Sequence, residues 1–319
     1  MPIIAIPYVQ MPAEQNPNTK GRRSDTYLVS SFVTLASLRR WNPSLDLVFV
    51  TPEGPDAAWV AMFQSVGARI EHVPFSHEPP AGFASTFLGS LYLLDVINGL
   101  DSDYLTVVDP DVFCISSLGK MWESGFSLTA LNIDSPREVG INGLSPRQAD
   151  EVHEALGERR TVDYHYGGEF YGIPRAARKV ISERVERAWT ISTDRWAQGL
   201  PYFTTEEHIM NFALAGSPIV DAHDVIRRIW TAHSFRTVDG DEDNLLLWHL
   251  PSEKERGFRR VFTAAVDPGS WFWTADADEF KRRAARAFGL RNRPPLRWGL
   301  DLAGSTMRSM MDLTRGNAK

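Results

Sequence analysis

Short apolar runs alternate with helical patterns along the first 114 residues. Apolar, β-branched runs predict strands, which are Pro2–Ile6, Leu45–Thr51, Ala68–Val73 and Tyr104–Val108. Helices are predicted between them at Ser24–Arg40, Pro55–Val66 and Ser85–Asn98. Alternation of this kind with short connections implies right-handed crossovers, so the fold class is α/β with a twisted, mostly parallel sheet.

The pattern after residue 114 is less regular. Strands or extended segments are predicted at Phe126–Asn132, Asp163–Ile173, Pro218–Asp221 and Leu245–Leu250, and helices at Ser145–Leu156, Arg175–Ala197 and Thr205–Ala215. Internal repeats and flexible linkers are absent before about residue 290. We therefore expect a single domain over residues 1–262, with a nucleotide-binding half (1–114), an acceptor- and donor-sugar half (115–262), and a basic C-terminal helical extension (263–319).

Two carboxylates follow the buried strand Tyr104–Val108, in the sequence Asp109-Pro110-Asp111. Ligands of open α/β sheets bind at the carboxyl ends of the strands. If the segment is extended, residues i and i+2 point to the same side and both carboxylates can face one cation. A hard divalent ion is the natural occupant, and such ions leave positions open for a phosphate.

Other Asp-x-Asp pairs provide an internal comparison. They are Asp101/Asp103, Asp239/Asp241, Asp241/Asp243 and Asp276/Asp278. Each lies in a polar or turn-like stretch or precedes an apolar run, which is typical of solvated turn aspartates.

An aromatic, glycine-rich segment runs from Tyr164 to Gly172. Gly167 and Gly168 would let backbone approach a ligand closely, and the surrounding rings would offer apolar surfaces on which sugars stack. We assign Tyr166, Gly167, Gly168 and Glu169 to donor or acceptor binding. A Gly-kinked strand with aromatic core packing is the equally favoured alternative.

A helix start carries two acids, Glu206 and Glu207, after Thr204-Thr205. The threonines can cap the helix and the acids complement its dipole. Alternatively, this end of the helix faces a cleft. Glu207 would then orient an acceptor hydroxyl or stabilise positive charge at a sugar carbon, with Glu206 contributing to binding.

A histidine ends the apolar run near residue 249. His249 could complete an Asp/Asp/His site, which fits Mn²⁺ better than Mg²⁺ because imidazole is a softer ligand than a carboxylate. Lys254 could neutralise a departing pyrophosphate. A strand-end histidine with a purely structural role is the alternative.

The edge of the sheet near the first strand also carries candidate binding residues. These are Pro7 and Tyr8 after the strand, and Arg22 within the basic loop Lys20–Arg23, for which a solvated loop is the alternative. P-loop, dinucleotide-binding and nucleophile-elbow motifs are absent from the sequence.

Composition narrows the setting. The single cysteine, Cys114, permits no disulfide within the chain and predicts a buried thiol in a reducing compartment. No apolar run is long enough to span a bilayer, and no basic, then apolar N-terminal segment is present. We therefore expect a cytoplasmic protein.

Charge is distributed unevenly. Residues 281–319 contain ten Lys or Arg and two Asp, a net +8 that leaves −14 on residues 1–280. The acidic body argues against nucleic-acid binding. The basic tail with its apolar residues favours either peripheral contact with the inner face of an anionic membrane or packing on the domain or in a homo-oligomer.

Taken together, the motifs resemble those of GT-A fold glycosyltransferases. The similarity is carried by a strand ending in Asp109-x-Asp111, the Gly-Gly-x-Phe-x-Gly of Gly167–Gly172, and the acidic stretch Glu206–Asn211. It is strongest toward retaining enzymes of the histo-blood-group and α-1,3-galactosyltransferase type and toward the glycogenin-like group. The resemblance implies a Rossmann-like, mostly parallel central sheet flanked by helices.

The resemblance also implies roles. Asp109 and Asp111 would bind Mn²⁺ (or Mg²⁺) and the diphosphate of a nucleotide sugar, His249 would match a late metal-binding histidine, and Glu207 would be the catalytic glutamate. The expected reaction moves a sugar from a UDP-linked donor to the hydroxyl of a saccharide, lipid-linked or small-molecule acceptor, with retention. A nucleotidyltransferase, an Asp-x-Asp phosphotransferase and a non-catalytic sugar-binding protein are the alternatives.

Overall fold

A computed structural model describes residues 2–11, 25–83, 88–122, 125–133, 140–158, 165–232 and 235–291. The strands are β1 Pro2–Pro7, β2 Asp46–Thr51, β3 Ala68–His72, β4 Tyr104–Val108, β5 Val112–Cys114, β6 Thr129–Asn132, β7 Tyr166–Pro174, β8 Val220–Asp221, β9 Ile226–Arg228 and β10 Leu247–His249. The α-helices are α1 Thr26–Trp41, α2 Ala57–Ser65, α3 Tyr92–Gly99, α4 Gly119–Trp122, α5 Pro146–Ala155, α6 Arg175–Ala197, α7 Glu206–Leu214, α8 Gly257–Ala265, α9 Trp271–Thr274 and α10 Ala277–Phe288.

A seven-stranded sheet with the order β3-β2-β1-β4-β7-β6-β8 forms the centre of the molecule. Strands β3, β2, β1 and β4 pair in parallel, whereas β7 runs antiparallel to both β4 and β6. The predicted α/β class with a mostly parallel sheet is confirmed. The order reverses at β1 and β4, because β2 and β3 extend to one side of β1 and β4 lies on the other.

Helices cover both faces of this sheet, so its central strands are buried on both sides. Along β1, Ile4 and Ile6 join one hydrophobic cluster and Ile3 and Ala5 join the other. This alternation is the period of two that a strand requires. The buried strands therefore form a rigid base for side chains at their ends.

A second, three-stranded sheet has the order β5-β10-β9. Strand β10 pairs antiparallel with β5 and parallel with β9. His249 lies opposite Val112 on one side and opposite Arg228 on the other. The small sheet thus brings three distant chain segments together beside the end of β4.

The C-terminal helices pack on the same core. Phe280 and Phe288 of α10 are fully buried, with ring centroids 5.6 Å and 4.8 Å from that of Phe113. Helix α8 continues through residue 262, the end predicted for the first region. No helix among the described residues is both long and apolar enough to cross a membrane. Residues 292–319, on which the membrane and oligomer predictions depend, lie outside the described residues.

Candidate active site

A cavity of about 360 Å³ opens at the carboxyl ends of β1 and β4, where the strand order reverses. This is the position at which open α/β sheets bind ligands. The predicted site residues that line it are Pro7, Tyr8, Asp109, Asp111, Gly168, Glu206, Glu207, His249 and Lys254. Tyr166, Gly167 and Glu169 are not part of the lining, and Arg22 with its basic loop lies outside the described residues.

The Asp109-Pro110-Asp111 segment is a tight turn rather than the extended segment that we predicted. The Val112 amide donates to the Asp109 carbonyl at 3.3 Å. The extended prediction was wrong because aspartate followed by proline also suits the first two positions of a turn. The turn carries the chain from β4 into β5, and the Leu250 amide holds it by donating to the Asp111 carbonyl at 3.0 Å.

Both carboxylates nevertheless reach His249. Ligand atoms of Asp109, Asp111 and His249 all lie within 4.8 Å of one another. The His249 Nε2 is 3.6 Å from Asp109 Oδ2 and 3.3 Å from Asp111 Oδ2. Asp111 and His249 are buried, whereas the Asp109 side chain is 39% exposed and faces the cavity.

The pKa values of this cluster diverge. Although 39% of the Asp109 side chain is exposed, desolvation of its carboxyl group and the charge of Asp111 raise its pKa to about 7. Burial alone would also raise the pKa of Asp111, but Lys254 and His249 outweigh it and hold that pKa well below its ordinary value. Burial opposes protonation of His249, yet the carboxylates of Asp111 and Glu169 raise its pKa to about 9.

The cluster fits a divalent cation. Asp111 Oδ1 is buried and has no hydrogen-bond partner among the described residues, although such oxygens rarely lack one. Carboxylate oxygens and one imidazole nitrogen form a donor set suited to Mn²⁺. The carboxylates that raise the pKa of His249 favour positive charge at this position. A cation bound to the neutral imidazole would provide that positive charge in place of the proton.

Glu207, at the start of α7, lies across the cavity and is fully engaged. Its Oε1 accepts from the Gly168 amide at 3.0 Å and from Arg228 Nη2 at 3.0 Å. Its Oε2 accepts from Asn142 Nδ2 at 2.7 Å and lies 3.2 Å from His165 Nε2. Burial raises the pKa of Glu207, but the contacts from His165 and Arg228 outweigh it, and the net pKa is lowered.

The pKa of the neighbouring Glu206 is shifted in the opposite direction. Burial and the adjacent Glu207 charge raise the pKa of Glu206 to about 8, although Ser90 Oγ donates to its carboxylate. The two glutamates are 9% and 7% exposed, so they are not solvated first-turn acids. Thr205 occupies the N-cap position as predicted, but it makes no side-chain cap bond, and its Oγ1 instead lies 3.2 Å from His208 Nδ1.

The two glycines of β7 make room for acidic side chains. A Cβ at Gly168 would lie 2.5 Å from Glu206 Oε1, and one at Gly167 would overlap the Glu169 carboxylate. Gly168 also lines the cavity, whereas the space above Gly167 is filled by the protein itself.

The rings of β7 do not offer the sugar-stacking surface that we predicted. Tyr166, Phe170 and Tyr171 are buried in the two hydrophobic clusters. Of the two equally favoured predictions for this segment, sugar stacking was wrong and aromatic core packing is confirmed, because both faces of the strand are covered. Among the described residues, Tyr8, Tyr27 and Trp230 do line the cavity.

Arg228 is the main site residue that the sequence did not indicate. Its Nε and Nη2 donate to the two oxygens of Glu169 at 2.7 Å and 2.5 Å, and Nη2 also reaches Glu207. It ends β9, a three-residue strand with no periodic pattern to mark it. Tyr27, Ser90, Asn142 and Trp230 were also missed.

The comparison Asp-x-Asp pairs are outside the cavity. Asp101 and Asp103 pair with Arg175 at the surface, and Asp239 and Asp241 pair with Arg227. Asp276 caps α10 by accepting from the Glu279 amide at 2.8 Å. The predicted solvent exposure is confirmed for the pairs that contact Arg175 and Arg227, whereas the helix cap at Asp276 was not predicted.

Comparison with known proteins relates the fold to that of glycosyltransferases. No protein-family model and no curated protein sequence matches the chain. Among solved structures, an active-site mutant of LgtC shares 15% sequence identity at a TM-score of 0.50, covering 92% of this chain and 98% of LgtC. The bifunctional glycosyltransferase WbbM shares 10% identity at a TM-score of 0.54, covering 88% of this chain but 51% of WbbM.

These similarities concern the fold, because the sequences have diverged far. The mostly parallel sheet, the helices on both of its faces and the position of β4 before the aspartate pair agree with the resemblance noted from the motifs. The chain therefore has the GT-A glycosyltransferase fold.

Proposed function

We propose that this chain is a metal-dependent glycosyltransferase that moves a sugar from a nucleotide diphosphate sugar, UDP-linked, to an acceptor hydroxyl. One observation carries the proposal: the Asp109, Asp111 and His249 cluster and the Glu207–Arg228 pair line one cavity at the reversal point of a GT-A sheet. The acceptor would be a saccharide, a lipid-linked sugar or a small molecule.

The first half of the site would hold the diphosphate. Asp109, Asp111 and His249 would bind Mn²⁺ or Mg²⁺, which when bound neutralises the leaving diphosphate. Lys254 is 5% exposed and its Nζ contacts Asp111 Oδ2, so it would add a fixed positive charge beside the phosphates. Pro7 and Tyr8, at the end of β1, would contact the nucleoside.

The second half would hold the sugar. The ionised Glu207 has little basicity, because its lowered pKa and four contacts favour the charged form. It would therefore stabilise positive charge that develops at the anomeric carbon rather than deprotonate the acceptor, and this role favours retention. Glu206, whose pKa is about 8, would hold its proton at neutral pH and donate a hydrogen bond to a sugar hydroxyl.

Donor binding tests the proposal most directly. Thermal unfolding of the protein would be followed with UDP, GDP, dTDP and CMP, each with and without Mn²⁺. We expect UDP to raise the melting temperature only with Mn²⁺, and expect Asp111→Asn to abolish that rise. Asp101→Asn is the matched control, since this Asp-x-Asp side chain is 83% exposed and pairs with Arg175 at the surface.

Turnover separates an enzyme from a binding protein. We expect slow Mn²⁺-dependent hydrolysis of a UDP-sugar by the wild type and its loss in Glu207→Ala. Equal hydrolysis by wild type and variant, or no metal-dependent response to any nucleotide, would contradict the proposal.

A further inference from the structure

Glu169 is a buried carboxylate that lies between the two halves of the site without lining the cavity. It is in the middle of β7 and is 0% exposed. Its Oε1 is 3.2 Å from His249 Nδ1, the ring nitrogen opposite the one that faces the aspartates. The same Oε1 accepts from Arg228 Nε at 2.7 Å, and Oε2 accepts from Arg228 Nη2 at 2.5 Å.

The Arg228 guanidinium contacts both Glu169 and Glu207, the residue proposed to act in catalysis. Its Nη2 is 2.5 Å from Glu169 Oε2 and 3.0 Å from Glu207 Oε1. Two parallel hydrogen bonds between a guanidinium and a carboxylate fix the plane of the guanidinium as well as its position. Glu169 therefore determines how Arg228 presents its remaining hydrogens to Glu207.

The arrangement is costly as a purely structural device. Burying an ion pair rarely stabilises a fold more than apolar residues of the same size would. The chain also places a glycine at position 167, where any Cβ would overlap the Glu169 carboxylate. The glycine at position 167 and the buried Glu169–Arg228 ion pair are easier to explain if this pair has a role in the adjoining cavity.

We propose that Glu169 is a positioning residue that orients two groups at once: His249, so that Nε2 faces Asp109 and Asp111, and Arg228, so that it holds Glu207. The inference rests on the proposed function, because it assigns these two groups to cation binding and to catalysis. Carboxylates that accept from the distal nitrogen of a ligand histidine fix its tautomer and ring orientation.

Calorimetric titration of the nucleotide-free protein with Mn²⁺ tests whether Glu169 orients His249 for cation binding. We expect Glu169→Gln to raise the Kd for Mn²⁺ about 10- to 100-fold. Arg228→Gln leaves the His249–Glu169 contact in place, so its Kd for Mn²⁺ should stay within about threefold of the wild type. Steady-state donor hydrolysis tests whether Glu169 orients Arg228 so that it holds Glu207. The kcat should fall about 100-fold in both variants, with a smaller change in the donor KM after Arg228→Gln.

Two further variants distinguish the positioning role of Glu169 from a general loss of folding stability. The double variant Glu169→Gln/Arg228→Gln removes both members of this ion pair, so neither is left buried without the other, while Glu207 keeps its hydrogen bonds from the Gly168 amide and Asn142. It should still bind Mn²⁺ as weakly as Glu169→Gln. Asp95→Asn is the matched control, because Asp95 is a buried carboxylate that contacts His77 Nδ1 at 2.7 Å and does not line the cavity. It should change neither the Mn²⁺ affinity nor kcat, whatever it does to the melting temperature.

The outcomes separate this inference from the proposed function. Mn²⁺ affinity within twofold of the wild type in both Glu169 variants, or an equal loss in Asp95→Asn, would overturn the positioning role while the proposed function stands. A wild-type protein that binds no Mn²⁺ and hydrolyses no donor would overturn both.

Discussion

Raising the pH of the metal-free protein should destabilise it through His249. The pKa of this imidazole is about 9 in the folded protein and 6.5 in the reference state. Because the folded-state pKa is the higher one, the stabilisation is complete below pH 6.5 and is lost as the pH rises through 9. The difference corresponds to ~3 kcal/mol of unfolding free energy, and His249 is only 4% exposed, so solvent screening reduces it little.

Denaturant unfolding in the presence of a chelator, at several pH values between 6 and 10, would measure this loss. The protein with His249 would be compared with His249→Gln, and both would carry Asp109→Asn because the charge of His249 lowers the Asp109 pKa. Glu206 titrates in both proteins, so its contribution largely cancels in the difference. We expect the advantage of the protein with His249 to shrink by ~3 kcal/mol between pH 6.5 and 9.5. An advantage that does not change with pH would refute the charged-imidazole account of this cluster.

The remaining predictions concern metal affinity, the core and the glycine of the cavity. Mn²⁺ must displace the proton of His249, so its apparent Kd should fall about tenfold per pH unit between pH 7 and 9, with one proton released in calorimetry in buffers of different ionisation enthalpy. Phe280→Ala should cost ~3–5 kcal/mol in denaturant unfolding, because this buried ring stacks on Phe113; a cost below ~1 kcal/mol would mean that α10 is dispensable. Gly168→Ala should lower donor turnover at least about tenfold, since the added Cβ would lie 2.5 Å from Glu206 Oε1, and unchanged kinetics would show that the carboxylate can move away.

Much of the fold could be predicted because its signals are local. Apolar runs and helical patterns located β1 to β4, α1 and α2 within a few residues, and Arg175–Ala197 was predicted with the bounds that the structure has. Helix α3 begins at Tyr92 rather than at the predicted Ser85. The parallel arrangement followed from the order of the elements. Since carboxyl ends of neighbouring parallel strands meet at one edge, Pro7, Tyr8 and Asp109 could be expected in one cleft.

Other expectations failed where tertiary packing overrides a local pattern. Tyr166 and Tyr171 lie in a strand with both faces covered, so their rings pack in the core instead of lining the cavity. The extended geometry expected at Asp109 and Asp111 was replaced by a turn, because the chain leaves the large sheet there to enter β5. In each case, the residues were identified from the sequence and their surroundings were not.

The small sheet explains why the contacts that join the parts of the site could not be predicted. Strand β10 lies within the predicted strand Leu245–Leu250, but β5 and β9 have three residues each, too few for a periodic pattern to identify them. Yet their pairing places His249 beside Arg228 on one side and next to the strand that follows Asp111 on the other. A shift of one residue in either pairing would turn these side chains to the opposite face. The link from the aspartate pair to Glu207 through His249, Glu169 and Arg228 therefore depends on registers that only tertiary structure defines.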